Sequence, residues 1–315
     1  MRTLMAVEDD VVYNGTHVRV TRHGGRDLRN MQAIGDWNME LEFCELPVPP
    51  RAVLFDLDGT LYRGDRALPG APELVHRLEA RGVACWFVTN NSTRTPQEVA
   101  DHMRRLGFAA KPERIVTSAQ AAALYIAERH PGGKAYVIGE RGLQEAVRDA
   151  GIPVAREGER ADIVVQGLDR SLTYDRLCRA VQLLLDGAAF VQTNPDRLLP
   201  VETGYLPGAG SIGAALREAT GIAPTVVGKP ESFLMETALR LAGVDSSAAW
   251  VVGDNPHTDI AAGLNAGCPT ILILTGYCSE RDWREQCAAA GVRPHAVCRD
   301  AAALWRLYAV CADLP

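Results

Sequence analysis

From residue 51 to the end of the chain, short apolar runs alternate with helix-like stretches, and several of the runs stop at polar residues. That alternation points to an α/β fold with a parallel sheet. Such strands are covered on both faces and read as unbroken apolar runs, and ligands bind just beyond their C-terminal ends. The first run, Val53-Leu54-Phe55, leads into Asp56-Leu57-Asp58-Gly59-Thr60. Asp56 and Asp58 are two positions apart, so at a strand tip their side chains point the same way. As the strand breaks at Gly59, the second can swing out of the ladder. Two carboxylates this close repel unless a cation or a proton sits nearby. The residue types suggest Mg²⁺ beside them. A turn with solvated acids is the plain alternative. The start of a calcium loop is another, but the third acidic ligand and the terminal Glu of that loop are missing.

A chain of 315 residues is enough for one large or two ordinary domains. With 47% hydrophobic and 23% charged residues, it has the composition of a soluble globular protein. The formal charge of −6 argues against a nucleic-acid or anionic-membrane partner. No apolar run reaches the length of a membrane span, and Met1–Asp10 does not read as a signal peptide. The eight cysteines include no Cys-x-x-Cys pair, so reduced structural thiols in a cytoplasmic protein are expected.

Residues 1–50 differ from the rest of the chain. Val11 to Val20 reads as a β-hairpin with Asn14-Gly15 in a tight turn, and Pro47-Val48-Pro49-Pro50 is a stiff lead into the first core strand. A partner-binding arm, a homo-oligomer contact and an ordered edge hairpin are all open readings of this segment. Beyond it, strands are expected at 52–57, 83–88, 115–116, 226–227, 250–252 and 270–274, with a short one near Val297. Helices are expected at about 69–81, 95–106, 118–130, 232–241, 259–266, 280–289 and 300–310. Leu61-Tyr62-Arg63-Gly64 reads as an irregular flap. Residues 132–222 hold a second series, with strands at 135–138, 163–166 and 190–192, a helix at 173–185, and a glycine-rich stretch, Gly204–Gly210, before a helix opened by Ser211.

Four strand tips carry polar residues: Asp56 with Asp58, Thr89 with Asn90, Lys229, and Asp254 with Asp259. A phosphomonoester dianion needs positive charge and donors around its oxygens, plus an in-line nucleophile. A carboxylate can be that nucleophile, and Mg²⁺ would neutralise charge between carboxylate and phosphate. Singly, each residue has a plainer role: Thr89 ending a strand, Lys229 a surface lysine, Asp254 a helix cap, Asp259 a first-turn acid favoured by the helix dipole. One reaction explains all of them together.

Asp-Leu-Asp-Gly-Thr, Val-Thr-Asn-Asn, Gly-Lys-Pro and Gly-Asp-Asn-x-x-Thr-Asp-Ile, in that order over residues 52–277, resemble the haloacid-dehalogenase (HAD) superfamily. The resemblance implies a doubly wound, Rossmann-like parallel-sheet core. It implies Asp56 as nucleophile and Asp58 as the group that protonates the leaving oxygen and then activates water. Thr89, Asn90 and Lys229 would bind phosphate, and Asp254 would bind Mg²⁺ with Asp56 and the backbone carbonyl of Asp58. Asp259 would support the metal. The second Asp separates the chain from the dehalogenases and points to phosphate chemistry with an acid/base step.

Only about thirty residues separate Asp58 from Thr89, used up by one helix and one strand. About 140 separate Thr89 from Lys229, far more than a crossover needs. An α/β cap domain inserted at 132–222 is expected, between core segments 51–131 and 223–315. Thr193-Asn194-Pro195-Asp196 and Gly204 through Ser211 are similar to the cap of the type IIA, NagD / para-nitrophenyl-phosphatase-like subfamily. Asn194, Asp196, Gly208 and Gly210 are candidates for cap–core docking or substrate contact, although the glycines could simply shape a turn. His257 could reach the substrate or be an ordinary loop histidine. The N-terminal arm departs from the family, whose members begin near the first motif. The expected activity is Mg²⁺-dependent hydrolysis of a small-metabolite phosphomonoester. A phosphotransferase using the same aspartyl-phosphate and a non-catalytic phosphate-binding or regulatory protein are the alternatives.

Overall fold

The computed structural model describes residues 48–156, 158–201 and 204–312, and the backbone of 8–13 and 16–21. The two N-terminal strands, β1 (Glu8–Tyr13) and β2 (Thr16–Thr21), pair antiparallel with Tyr13 opposite Thr16. That register leaves two residues between them, as the expected tight turn requires. Asn14 and Gly15 themselves, and residues 22–47, lie outside the described residues.

The site is built on the first apolar run, β3 (Ala52–Phe55), whose four residues are all buried. After it come a small flap, β4 (Tyr62–Arg63) and β5 (Arg66–Ala67), then α1 (Ala71–Ala80), β6 (Ala84–Thr89), α2 (Pro96–Arg105), β7 (Ile115–Thr117) and α3 (Ser118–Arg129). Helix α2 opens on a capping box: the Thr95 hydroxyl accepts from the Glu98 N–H while the Glu98 carboxylate accepts from the Thr95 N–H. That arrangement satisfies two N-terminal donors at once.

The chain then leaves the main sheet. It forms β8 (Ala135–Ile138), α4 (Arg141–Asp149), β9 (Ile163–Gln166), α5 (Tyr174–Leu185) and β10 (Ala189–Gln192). A hairpin of β11 (Leu198–Val201) and β12 (Gly204–Pro207) follows, then α6 (Ala209–Thr220) and β13 (Thr225–Val226). On its return it makes α7 (Phe233–Ala242), β14 (Ala249–Gly253), a π-helical turn at Pro256–Ile260, α8 (Ala261–Asn265), β15 (Thr270–Ile273), α9 (Trp283–Ala290), β16 (Ala296–Cys298) and α10 (Ala301–Cys311).

The main sheet is parallel, in the order β16-β15-β14-β3-β6-β7. The chain builds outward from β3 through β6 to β7, then restarts on the other side of β3 with β14. The switch point therefore lies between β3 and β14, where a ligand crevice is expected. Val53 and Phe55 face one layer, with α1, α2 and α10; Ala52 and Leu54 face the other, with α3 and α7. Burial on both faces explains why these strands lack polar alternation.

The second sheet is also parallel, in the order β13-β10-β9-β8. The sequence assigned 226–227 to the main sheet; instead Val226 pairs with Gln192 of β10. The chain stays with the second sheet until just before Gly228, so the expected boundary at 222 falls short of this strand. Helix α4 has no counterpart in the sequence reading. Of its nine residues only Gly142, Leu143 and Val147 are buried, a stripe too narrow to stand out among charged neighbours. One hydrophobic cluster joins the two sheets through α3. Ala119, Ala121, Ala122 and Ile126 pack together with Leu54 and Val88 of the main sheet and with Ile163, Val165 and Val191 of the second.

Candidate active site

Asp56 follows β3 directly, and its N–H bonds the Val252 carbonyl of β14 at 2.9 Å. This holds the first acidic residue at the switch point, alongside the strand that ends at Gly253-Asp254. Gly59 has φ +91°, and a Cβ there would fall 2.4 Å from Asp254 Oδ2. The glycine is thus needed both for its backbone conformation and for close approach.

Lys229 is almost fully buried. Its ammonium donates to Asp56 Oδ1 at 2.5 Å, to Asp259 Oδ1 at 2.6 Å and to the Val88 carbonyl at 3.3 Å. Burial alone would lower the Lys229 pKa, but the Asp259 and Asp56 carboxylates outweigh it and raise it. The expected metal residues converge: Asp56, Asp254 and Asp259 offer carboxylate oxygens within 4.8 Å of one another. The Asp58 carboxylate is not in that group, and the metal role read for Asp58 concerned its backbone carbonyl. Asp254 is gripped on both oxygens, by the Thr60 hydroxyl at 3.3 Å and the Tyr277 N–H at 2.5 Å. Asp259 Oδ2 accepts from the Asn255 N–H at 3.1 Å.

Three buried carboxylates face one ammonium, so negative charge is in excess. Burial, then repulsion from Asp259, pushes Asp254 up to about 7. Burial and Asp259 also raise Asp56 well above the ordinary carboxylate range, against the opposing pull of Lys229. An all-oxygen cluster with excess negative charge fits a hard divalent cation such as Mg²⁺.

Asp58 is exposed. Partial desolvation raises its carboxyl above the ordinary value, opposed by a hydrogen bond from the Gly64 N–H and by the nearby Arg63, His102 and Arg94 side chains. A raised carboxyl pKa suits a group that must hold a proton and then give it up.

Thr89 sits at the tip of β6, its hydroxyl accepting from the Asn91 N–H at 3.1 Å. The Asn90 side chain is fully engaged elsewhere. Its Oδ1 accepts from the Lys229 N–H, and its Nδ2 donates to the Lys229 carbonyl and to Asp196. Asn194 meets the same residue, donating from Nδ2 to the Asn90 carbonyl at 2.8 Å. Asn194 and Asp196 thus both reach across to the main sheet's loop. Gly208 and Gly210 face backward. A Cβ on Gly208 would lie 2.2 Å from the Asp196 carbonyl oxygen, and one on Gly210 2.1 Å from that of Pro195. The two glycines let the 195–197 loop lie on the start of α6. The His257 ring stacks edge-on against Tyr277, with Nε2 3.4 Å from Gln286 Oε1.

Thr275, Gly276 and Tyr277 were not singled out from the sequence. The Thr275 hydroxyl donates to the Gly59 carbonyl at 2.7 Å, and a Cβ on Gly276 would lie 1.9 Å from Asp254 Oδ2. Their signal was present: they come directly after the apolar run Thr270–Leu274, another strand tip.

Residues 53–153 match the haloacid dehalogenase-like hydrolase family, and 226–304 match the HAD-hydrolase-like family. The chain is 44% identical over 226 residues to the 5'-nucleotidase YutF of Bacillus subtilis, covering 72% of this chain and 88% of that protein. A p-nitrophenyl phosphatase from Archaeoglobus fulgidus superposes with TM-score 0.77 at 32% identity, over 84% of this chain and 99% of that one. A glycerol phosphate phosphatase from Mycobacterium tuberculosis, solved in complex with magnesium, gives TM-score 0.75 at 39% identity, over 81% and 77%. With its sheet order, its acidic cluster and these relatives, the chain belongs to the haloacid-dehalogenase-like hydrolases, in their type IIA, NagD / para-nitrophenyl-phosphatase-like branch of phosphatases.

Proposed function

We propose that this protein hydrolyses a small phosphomonoester through an aspartyl-phosphate on Asp56, with Mg²⁺ held by Asp56, Asp254 and Asp259. The observation that carries the reading is the convergence of those three carboxylates at the switch point, with Asp56 and Asp259 both bonded to the Lys229 ammonium. When bound, the cation would offset the repulsion between Asp56 and an incoming phosphate dianion. An Asp56 oxygen attacks phosphorus, and the bond to the leaving oxygen breaks. Asp58 supplies the proton that the leaving alkoxide takes up. Asp58 then removes a proton from water, whose oxygen attacks the same phosphorus. The bond to Asp56 breaks and inorganic phosphate leaves. Lys229 and Thr89 would neutralise and orient the transferring oxygens.

Residues from 132 through the strand at Thr225–Val226 are proposed as the cap, docked by Asn194 and Asp196 on Asn90. The relatives act on chemically different esters, as their names state; a small-metabolite ester is the class we assign here, its identity set by cap side chains.

Phosphate release across a panel of nucleoside, sugar and polyol monophosphates tests this, with and without Mg²⁺, for wild type and Asp56→Asn. Mg²⁺-dependent turnover that vanishes in the variant is expected. Equal activity in the variant would remove Asp56 as nucleophile. Transfer of phosphate to an added alcohol, in place of release, would reassign the protein as a phosphotransferase.

A further inference from the structure

Asp254 is held by two segments that lie far apart in the chain. The turn after β3 gives the Thr60 hydroxyl to its Oδ1, and the loop after β15 gives the Tyr277 N–H to its Oδ2. A carboxylate bonded on both oxygens has one orientation. It keeps that orientation only while its two holders stay in register with each other.

The first holder is built as a tight coil. The Leu57 carbonyl accepts from the N–H groups of Leu61 at 2.9 Å and Tyr62 at 3.2 Å, and the Gly59 N–H donates to the Tyr62 carbonyl at 2.7 Å. Leu57 and Leu61 are buried beneath it. The second holder lies in residues 274–282, which are neither helix nor strand. Thr275 is where the two meet. Its hydroxyl donates to the Gly59 carbonyl at 2.7 Å, and its own carbonyl accepts from the Arg63 guanidinium at 2.8 Å. Gly276 lets the backbones touch, since a Cβ there would lie 2.8 Å from Gly59 Cα. Both polar groups of the Thr275 contact are therefore taken up by residues 59–63. The Arg63 bond is the outer of the two ties, from an exposed side chain whose charge strengthens the bond to a neutral carbonyl.

We propose that Arg63 is a positioning residue for Asp254: by bonding the Thr275 carbonyl it keeps the 275–277 loop where the Tyr277 N–H and the Thr60 hydroxyl together hold the carboxylate for Mg²⁺. The inference rests on the reading of Asp56, Asp254 and Asp259 as a Mg²⁺ site. It makes a demand that a substrate contact does not. Loss of the Arg63 bond should weaken the metal and spare the ester, whereas an arginine that grips substrate would do the reverse.

The test titrates Mg²⁺ into the metal-free full chain by calorimetry, as wild type, Arg63→Met, Arg63→Lys and Asp254→Asn. KM for p-nitrophenyl phosphate is measured at saturating Mg²⁺ for the first three. Methionine keeps an unbranched apolar stem and removes the donor; lysine keeps a cationic donor. Arg63→Met should raise the Mg²⁺ dissociation constant by about tenfold, the lower end of the scale for losing a ligand's outer support, with KM within about twofold of wild type. Arg63→Lys should fall between the two. If Arg63→Met fails to fold, Arg63→Gln is read the same way. Wild-type Mg²⁺ affinity in Arg63→Met overturns the positioning role, provided that Asp254→Asn still loses the metal. A KM raised beyond that limit at saturating Mg²⁺ overturns it too, and places Arg63 on the substrate. If Asp254→Asn binds Mg²⁺ as wild type does, the reading of the metal site itself falls, and this inference with it.

Discussion

Asn90 grips Lys229 at both ends of its peptide backbone, accepting from the Lys229 N–H at 2.9 Å and donating to the Lys229 carbonyl at 3.0 Å. A side-chain amide that satisfies both backbone groups of one residue fixes where that residue begins, and so where its ammonium ends. Asn90→Ala should therefore act through Lys229. Unfolding stability should fall by about 1–3 kcal/mol, the cost of leaving buried partners unpaired. A displacement of the ammonium near 1 Å should cost about a hundredfold in kcat/KM. Denaturant melts and steady-state kinetics check both, and a variant with wild-type kinetics would count against a positioning role for Asn90.

Gly276→Ala should damage the Asp56–Asp254–Asp259 cluster selectively. The new methyl would land on Asp254 Oδ2, the oxygen that accepts from the Tyr277 N–H. We expect the Mg²⁺ concentration for half-maximal activity to rise by about 10–100-fold, the usual scale for disturbing a ligand's support. An unchanged Mg²⁺ titration would show that the loop moves aside without cost.

Gly210→Ala should spare Mg²⁺ affinity and weaken the seam between the two sheets, because its Cβ would meet the Pro195 carbonyl. Overpacking of this kind costs about 1–3 kcal/mol. Thermal unfolding with a parallel Mg²⁺ titration separates this variant from Gly276→Ala; a shifted titration here would mean that the 195–197 loop reaches the cluster.

In the metal-free protein Asp254, raised from its ordinary 3.8 to about 7, contributes to the pH dependence of stability together with the likewise raised Asp56. The folded state keeps the proton that the unfolded chain has lost, so between these values the folded state binds more protons. The Asp254 contribution to stability is then complete below about 4 and is lost as pH rises through about 7. Binding of Mg²⁺ requires the deprotonated carboxylate. The rise in melting temperature on adding Mg²⁺ should therefore be larger at pH 8 than at pH 6. A rise independent of pH would place the cation away from Asp254.

The main sheet and its acidic tips were legible in the sequence because fully buried strands are written as short apolar runs. Asp56, Asp254, Asp259 and Lys229 each stand at or just beyond the end of such a run or at the chain's return to it. The flap hairpin was not legible as strands, since two residues per strand carry no period. Helix α4 was hidden by its charge, having a buried face of one glycine, one leucine and one valine. Strand β13 was placed in the wrong sheet, because Thr225-Val226-Val227 is equally apolar whichever neighbour it pairs with. Asn90 reads as a phosphate ligand from its motif, but the partners of an amide depend on what the fold brings to it, here Lys229 and Asp196.

The alanines of α3 decide how the molecule comes apart. Ala121 and Ala122 are completely buried in a cluster that includes residues of both sheets. Neither sheet can melt without exposing apolar surface that the other also covers, so the two sheets should unfold as one cooperative unit. Calorimetry should record one transition, with equal van't Hoff and calorimetric enthalpies. Substituting a bulkier residue such as valine at Ala122 should lower that single melting temperature without splitting the peak.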